Sequence, residues 1–157
     1  MSKRLISYFS ASGVTKTVAE HLSKKISADL FEIEPVQKYT EEDLNWMDKN
    51  SRSSIEMGDK NSRPEVANKV DNIDSYDTVI IGFPVWWYIA PTIINTFIEE
   101  NNLEGKNILV FVTSGGSGVS QSYQNLKEQY PNLNFVASKR IADTEDEDAF
   151  VKMIEEF

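Results

Sequence analysis

Cysteine and histidine are nearly absent from this sequence. Its 157 residues include no cysteine and a single histidine, His21. The lack of cysteine excludes disulfides, thiolate nucleophiles and sulfur-ligated metals, and a lone histidine excludes a multi-histidine metal site. His21 falls inside the first predicted helix, where we interpret it as an exposed or helix-packed side chain. The sequence therefore predicts neither a metal site nor a catalytic residue.

A long apolar run is also missing. No stretch approaches the roughly 20 apolar residues that a membrane-spanning helix needs, and the opening M-S-K-R-L lacks the apolar segment of a signal peptide. We therefore expect no membrane partner and a cytoplasmic location. The sequence shows no linker and no internal repeat, so we expect residues 1–157 to form a single domain of ordinary size.

Positive charge is scarce relative to negative charge. The chain has 16 Lys and Arg residues against 25 Asp and Glu residues, a formal net charge of −9 at pH 7. Because like charges repel the phosphates of nucleic acids and the surfaces of anionic membranes, the sequence predicts no nucleic-acid partner. An acidic surface instead suits basic protein partners. The content of 40% hydrophobic and 26% charged residues is that of a globular protein.

Five short apolar segments are predicted to be strands. They cover residues 5–9, 30–36, 78–83, 107–113 and 133–138. Segment 78–83 is almost wholly apolar, as expected of a central parallel strand that is covered on both faces. Segment 30–36 alternates and contains Pro35, as expected of an edge strand. Because helical segments separate the strands, the pattern indicates an α/β fold with a parallel sheet between two layers of helices.

Helices are predicted where apolar residues recur on one face. The first helix carries Val14, Val18, Leu22 and Ile26, and the helix after Pro91 carries Ile93, Ile94, Phe97 and Ile98. After the second strand, Thr40 and the acidic residues behind it predict a short helix over residues 40–49. We expect residues 51–63 to form an irregular surface excursion, and Pro64 to begin a helix that includes Val66 and Val70.

The loop after the first strand has the composition of an anion site. It contains Ser10, Ser12, Gly13 and Thr15 and leads directly into a helix. The first N–H groups of a helix have no intrahelical partner and lie at the positive end of its dipole, so they bind phosphate well. Serine and threonine also begin helices that bind nothing, and an ordinary N-cap is the alternative interpretation.

Two further loops follow the third and fourth strands. The first of them contains Trp86, Trp87 and Tyr88, and the second contains Gly115, Gly116 and Gly118. Ligands of parallel sheets bind outside the carboxyl ends of the strands, so the three loops together predict a pocket for a planar ring joined to a phosphate. Taken singly, the aromatic residues could be core anchors or a protein-binding patch, and the glycines a plain turn. The dinucleotide fingerprint and the P-loop are both absent, which disfavours adenine dinucleotides and triphosphates.

The motifs in these loops resemble those of the flavodoxin family. Y-F-S-A-S-G-V-T is similar to the family's phosphate loop, while G-F-P-V-W-W, the following P-T-x-x-x-T-F, and G-K-N-I-L-V-F-V-T-S-G-G-S-G resemble a short FMN-binding branch. The resemblance covers nearly the whole chain. It implies a flavodoxin-like three-layer αβα sandwich whose five-stranded parallel sheet has the order 2-1-3-4-5. It also implies noncovalently bound FMN.

The resemblance further implies which residues hold FMN. The phosphate would lie on residues 10–15, and the isoalloxazine between residues 84–88 and 113–118. Trp86 or Trp87 would stack on one ring face, and backbone groups of residues 114–116 would bond the pyrimidine edge. Val14 replaces an asparagine that is frequent in the family, and we expect binding to survive because the phosphate mainly uses the backbone N–H there. The implied cofactor-binding residues are Ser10, Ala11, Ser12, Gly13, Val14, Thr15, Pro84, Val85, Trp86, Trp87, Tyr88, Thr113, Ser114, Gly115, Gly116, Ser117 and Gly118.

Three functions are compatible with this resemblance. The leading hypothesis is a redox protein that transfers electrons between a reductase and acceptor proteins. The second is a small FMN-dependent enzyme that uses NAD(P)H to reduce quinones or related aromatic acceptors, and the third is a non-redox binding module. Electron-carrying flavodoxins usually have a glycine beside flavin N5 and acids around the flavin edge. Here no glycine lies between Gly82 and Gly105, and residues 84–94 and 113–123 contain no Asp or Glu, which keeps the enzyme as an alternative.

Overall fold

Five parallel strands form the centre of the fold. In the computed structural model, which describes residues 3–157, they are β1 (Arg4–Tyr8), β2 (Asp29–Glu32), β3 (Thr78–Pro84), β4 (Asn107–Thr113) and β5 (Asn134–Arg140). They pair in the order β2-β1-β3-β4-β5, all in parallel. The predicted α/β fold and the strand order 2-1-3-4-5 are therefore confirmed, and β2 is an edge strand as expected.

Helices cover both faces of this sheet. They are α1 (Val14–Ile26), α2 (Arg52–Met57), α3 (Thr92–Glu100), α4 (Ser120–Gln129) and α5 (Thr144–Ile154), and a short 3₁₀ turn spans Ile73–Ser75. Leu22 of α1 and Phe150 of α5 pack on one face, while Phe97 of α3 and Leu126 of α4 pack on the other. The result is the predicted three-layer sandwich. Within residues 3–157, no helix is long and apolar enough to cross a membrane.

The two central strands supply both cores at once. Side chains of a strand alternate between the two faces of a sheet. Val79 and Ile81 of β3 accordingly join the core beneath α3 and α4, whereas Ile80 joins the core beneath α1 and α5. Because both faces are covered, these strands consist of a continuous apolar run instead of an alternating one.

The buried face of α1 differs from the predicted one. Thr15, Ala19 and Leu22 are buried, whereas Val14 is 58% exposed. Each step of four residues in an α-helix overshoots a full turn by about 40°, so Val14 lies roughly 80° around the axis from Leu22. The predicted stripe was therefore wrong at its first position.

His21 lies between α1 and α5. Its Nδ1 atom is 3.0 Å from Oε2 of Glu147, and the histidine side chain is 52% exposed. Lys25 of α1 contacts the same carboxylate, with Nζ 3.1 Å from Oε1 of Glu147. His21 was interpreted as an exposed or helix-packed side chain, and in the structure it is exposed and contacts α5 through Glu147.

The connection between β2 and β3 is where the helix predictions were wrong. Residues 41–44 form only a turn, in which the backbone N–H of Asp43 donates to Thr40 Oγ1 and that of Thr40 donates to Asp43 Oδ2. The stretch expected to be irregular contains α2, because Ser51 caps its N-terminus by accepting from the N–H of Ser54.

The helix predicted to begin at Pro64 is replaced by extended chain. Exposure alternates from residue to residue through 61–70, with Val66 and Val70 on the inner side. Pro35 and Val66 also form an antiparallel bridge. A spacing of four residues fits a helical period of 3.6 and a strand period of 2 equally well, so the two valines could not distinguish them.

Candidate functional site

The loops after β1, β3 and β4 open onto one cleft at the carboxyl edge of the sheet. Its volume is about 800 Å³, within the range of about 300–1,000 Å³ that is typical of small-molecule sites. Of the predicted residues, it is lined by Ala11, Ser12, Pro84, Val85, Trp86, Trp87, Tyr88, Gly115, Gly116 and Ser117. Leu44, Trp46 and Ser53 complete the lining, and sequence reasoning missed all three.

The N-terminus of α1 has no side-chain cap. The N-cap residue is Gly13, which has φ 95°. No side chain at this position accepts a hydrogen bond from the first N–H groups of the helix. The hydroxyl of Ser10 instead accepts from the N–H of Gly13 itself, at 3.0 Å. The ordinary N-cap interpretation therefore does not describe this loop, and the first amides of α1 remain available to a ligand.

Thr15 links two loops and does not line the cleft. Its Oγ1 atom lies 2.7 Å from Oγ1 of Thr113, and both residues are buried. The pair ties the start of α1 to the end of β4. The other predicted residues outside the lining are Ser10, Gly13, Val14, Ser114 and Gly118.

The loop after β3 is a tight two-residue turn. Trp86 and Ile89 exchange both backbone N–H···O=C hydrogen bonds at 3.0 Å. The two central residues have positive φ, 49° at Trp87 and 68° at Tyr88, as in a type I′ turn. Residues with side chains are strained in this region, typically by about 1 kcal/mol or more each. The turn presents Trp87, 42% exposed, and Tyr88, 63% exposed.

Trp86 is fixed at the base of the same turn. Its ring meets Phe9 edge to face at 5.6 Å and 88°, and meets Tyr39 edge to face at 5.4 Å and 77°. These distances are typical of favourable aromatic pairs. Trp86 thus packs in the core and also lines the cleft. Trp87 lines the cleft beside it and is more exposed.

The glycine-rich loop after β4 has no side chains at Gly115 and Gly116, which border the cleft, and hydrogen bonds from β5 support it at Ser114. A Cβ atom added at Gly115 or Gly116 would meet nothing within 4 Å. Arg140, at the end of β5, donates from Nε to Ser114 Oγ at 2.9 Å and from a terminal nitrogen to Ser114 O at 3.0 Å. The Ser114 hydroxyl in turn donates to the carbonyl of Ser117. The sequence around Arg140 did not indicate that it supports this loop, because the two come together only through the pairing of β4 and β5 in the sheet.

The connection between β2 and β3 forms the remaining wall. The backbone N–H of Ser53 donates to the carbonyl of Asp43 at 2.9 Å, which ties α2 to the turn before Trp46. Trp46 itself is 70% exposed. A tryptophan in an otherwise polar stretch was the available signal for this wall, and the prediction did not use it.

Tyr39, Arg52 and Glu56 hold this connection against the fold. The Tyr39 hydroxyl donates to Glu56, and Nε of Arg52 lies 2.9 Å from Glu56 Oε2. The Arg52 guanidinium also lies over the Tyr39 ring, 3.8 Å from its centroid. Burial, followed by the hydrogen bond to Glu56, raises the pKa of Tyr39. The tyrosine therefore remains a neutral donor at physiological pH.

The walls of the cleft are uncharged. Among the residues that the structure describes, those that line the cleft carry no Asp, Glu, Lys, Arg or His. Glu41 and Glu42 are exposed shortly before Leu44 and Trp46 in the chain. Within residues 3–157, no group of three or more His, Cys, Asp or Glu side chains is placed to hold a metal ion.

Comparison with known proteins identifies the family. The family model for flavodoxin matches residues 3–157 of this chain. The chain belongs to the flavodoxin family. The predicted resemblance is therefore confirmed. No curated protein matches the chain.

Solved structures of flavodoxin-like proteins share this fold over their whole length. A protein from Bacteroides eggerthii that is provisionally assigned as a flavoprotein is 45% identical, with 99% of each chain covered and a TM-score of 0.93. A similar protein from Bacteroides uniformis is 42% identical, with 96% of this chain and 98% of that chain covered and a TM-score of 0.92. A flavoprotein from Lactobacillus acidophilus, crystallised in complex with FMN, is 27% identical, with 97% and 98% covered and a TM-score of 0.76.

Proposed function

We propose that this flavodoxin-family protein binds FMN noncovalently in the cleft and acts as a redox protein. The observation that carries the proposal is the convergence on one cleft of three loops: the loop that leads into the uncapped N-terminus of α1, an aromatic turn, and a glycine-rich turn without side chains at Gly115 and Gly116. The Lactobacillus acidophilus relative, crystallised with FMN, supports the same cofactor.

The phosphate end of the cleft fits an anion without a basic side chain. The first amides of α1 have no capping partner, and Ser12 lines the cleft beside them. Helix N-termini of this kind bind phosphate through backbone N–H groups and the helix dipole. The space beside Gly13 is open, since a Cβ there would meet nothing within 4 Å. Residues 10–15 would therefore hold the phosphate.

The ring end of the cleft fits a planar aromatic system. Trp87 lines the cleft and is 42% exposed, so its indole has a surface on which a ring could stack. The backbone of Gly115 and Gly116 is accessible on its open side and could bond a polar ring edge. Residues 84–88 and 113–118 would thus orient the ring and exclude water from one of its faces.

Bound FMN supplies one- and two-electron transfer, and the protein tunes it by stacking, hydrogen bonds and nearby charge. As the leading function, the protein passes electrons between a reductase and acceptor proteins. The exposed Glu41 and Glu42 lie next to the cleft-lining segment in the chain, and the net charge is −9. Both features suit basic partner proteins, whose encounter would be accelerated by charge complementarity.

A second function is favoured by the uncharged lining of the cleft. An FMN-dependent oxidoreductase that reduces quinone-type aromatic compounds needs an apolar, aromatic surface beside the flavin. Trp46, Trp87 and Tyr88 provide such a surface. Reduction of a quinone to its hydroquinone takes two electrons and two protons, which fully reduced FMN carries.

The cofactor proposal is tested by binding FMN and riboflavin to two variants at one position. Gly13→Asp places a negative charge at the N-terminus of α1, whereas Gly13→Asn is nearly isosteric and neutral. We expect Gly13→Asp to weaken FMN binding about tenfold or more relative to Gly13→Asn, about 1.4 kcal/mol. Riboflavin lacks the phosphate and should bind both variants equally, as measured by quenching of flavin fluorescence. No FMN binding to the unaltered protein would refute the proposal and favour a non-redox module.

The two redox functions are separated by reductive titration and turnover. An electron carrier should accumulate a one-electron-reduced state during stepwise reduction with dithionite. An oxidoreductase should pass directly to the two-electron-reduced state and turn over NAD(P)H with a quinone. Accumulation of the one-electron state without quinone turnover would contradict the second function.

A further inference from the structure

We propose that Trp46 forms one wall of a second aromatic subsite in the cleft, which takes an uncharged planar compound of the quinone class. The inference rests on the proposed function, since bound FMN would occupy the rest of the same cleft. It goes further by assigning a specificity-determining residue that lies outside the three loops and by stating the charge of the compound.

Trp46 is a large aromatic side chain that is mostly exposed to solvent, so it contributes little burial to the stability of the fold. It is 70% exposed and lines the same cleft as Trp87 and Tyr88, which are also exposed. Exposed apolar surfaces that cluster at one place are typical of binding sites. The three rings therefore form an aromatic rim with area left over for a ligand.

The segment that carries Trp46 is fixed by hydrogen bonds on both sides. Before it, the N–H of Leu44 donates to the carbonyl of Thr40 at 3.1 Å. After it, the N–H of Asp48 donates to the carbonyl of Asn45 at 3.1 Å. A wall that is already ordered loses little entropy when a ligand binds. The backbone at Trp46 is thus ordered before a ligand binds.

At Gly115 and Gly116, the glycine-rich wall has no side chains that narrow the cleft. Gly115 and Gly116 line the cleft and have open space where their side chains would be. This loop contributes no aromatic side chain to cover a bound ring. The cleft volume of about 800 Å³ includes the space assigned to FMN, and in the remainder a second planar compound would have its aromatic contact on Trp46.

The charge distribution selects a neutral compound. The cleft walls carry no charged side chain among the residues described, so a charged ligand that lies away from the amides of α1 would lose hydration without gaining a counter-charge. The exposed Glu41 and Glu42, which precede the cleft-lining Leu44 and Trp46 in the chain, and the net charge of −9 further disfavour an anion. Quinones are neutral and planar, and they satisfy both conditions.

The test is equilibrium dialysis of 1,4-naphthoquinone against the oxidised, FMN-loaded protein without a reductant, so that no turnover occurs. The chain has no cysteine, which removes thiol addition as a side reaction. Trp46→Ala should weaken naphthoquinone binding about 5- to 150-fold, the range for loss of one aromatic stack. Trp46→Phe should restore much of the affinity. Met47→Ala is the control, because Met47 is 74% exposed in the next position but does not line the cleft.

The possible outcomes distinguish failure of the Trp46 subsite from failure of the FMN proposal. Loss of naphthoquinone but not FMN affinity in Trp46→Ala, with Met47→Ala unchanged, supports the subsite. Equal losses for both ligands would make Trp46 a wall of the cofactor site and overturn the inference, while the FMN proposal stands. Naphthoquinone binding that is absent, unaffected by Trp46→Ala, or tighter for the anionic 2-sulfonate would also overturn it. Failure of FMN to bind the unaltered protein would refute the proposed function, and the subsite with it.

Discussion

Trp86 and Trp87 are neighbours in the chain with different environments. Trp86 packs against Phe9 and Tyr39, whereas Trp87 has no such ring contact among the aromatic pairs of residues 3–157 and is 42% exposed. The difference arises from the turn, since Trp86 lies at its base and Trp87 is one of its two central residues. The Trp86 ring therefore contributes to the stability of the fold, and the Trp87 ring is available to contact a ligand.

We predict that Trp87→Ala weakens FMN binding by about 1–3 kcal/mol, the cost of losing one aromatic stack. Trp86→Ala is the matched change, and we expect it to lower the free energy of unfolding by roughly 2 kcal/mol, less than for a fully buried tryptophan. Flavin fluorescence measures the first effect and urea denaturation the second. Unchanged FMN affinity in Trp87→Ala would move the stacking role to Trp86 or remove it.

Tyr88 has a backbone conformation that favours glycine. Its φ is 68° and its side chain is 63% exposed, so little packing offsets the strain. We predict that Tyr88→Gly is more stable than Tyr88→Ala by about 1 kcal/mol, because both remove the side chain but only glycine relieves the left-handed strain. Urea denaturation of the two variants measures the difference. Equal stabilities would show that the turn is not strained at this residue.

At the scale of elements, Gly82 lets β3 and β4 pack around one ring. A Cβ atom at this position would lie 2.1 Å from Cζ of Phe111, its partner on the neighbouring strand. We predict that Gly82→Ala lowers the free energy of unfolding by about 1–3 kcal/mol or more through overpacking. Gly115→Ala is the control, because its Cβ would meet nothing within 4 Å.

The cause of the stability loss in Gly82→Ala can be tested by making the same change in a Phe111→Leu chain. If the clash with the ring is responsible, Gly82→Ala should cost less in a Phe111→Leu chain than in the unaltered one, a coupling that urea denaturation of the four proteins measures. Additive losses would assign the effect to the strand backbone instead.

Arg63 and Glu99 join the connection before β3 to helix α3. Arg63 donates from Nε and a terminal nitrogen to the two carboxylate oxygens of Glu99, both at 3.0 Å, and the Tyr130 hydroxyl donates to the same group at 2.6 Å. The hydrogen bond from Arg63, and then that from Tyr130, lower the pKa of Glu99. The folded protein therefore holds the carboxylate charged at pH values where the unfolded chain begins to take up a proton.

This lowered pKa predicts a direction for acid stability. The contribution of Glu99 is present above the ordinary glutamate pKa of about 4.3 and is lost as the pH falls through the lower folded value. We predict that Glu99→Gln is less stable than the unaltered protein at pH 7 and that the gap narrows as the pH falls below about 4. Urea midpoints across this range measure it, with Glu100→Gln on the same helix as the control. A gap that stays constant with pH would contradict the prediction.

For the molecule as a whole, a ligand that binds only the folded state must stabilise it. FMN at 100 times its Kd should raise the free energy of unfolding by about 2.7 kcal/mol. Riboflavin at the same concentration should raise it less, because it cannot use the amides at the start of α1. Urea denaturation with each flavin measures this, and equal stabilisation would argue against a phosphate site at residues 10–15.

β4 and α3 were predictable because one apolar pattern dominates each of their sequences, whereas β2, predicted over residues 30–36, ends at Glu32. β4 was predicted at its observed bounds, and Ile93, Ile94, Phe97 and Ile98 of α3 are all buried as expected. The connection between β2 and β3 was not predictable in this way. It contains few apolar residues, and Val66 and Val70 fit two periods, so hydrogen bonds to distant residues decide its path.

The sequence by itself determined the layer architecture and the loops that flank the cleft, because apolar periodicity and turn composition are local properties. The tertiary structure alone decided which side chains meet there. Trp46 lines the cleft from a polar stretch, Arg140 bonds to the glycine-rich loop from the end of β5, and the Thr15 hydroxyl bonds to that of Thr113. These contacts join residues far apart in the chain, and only the packing of the sheet sets the distances between them.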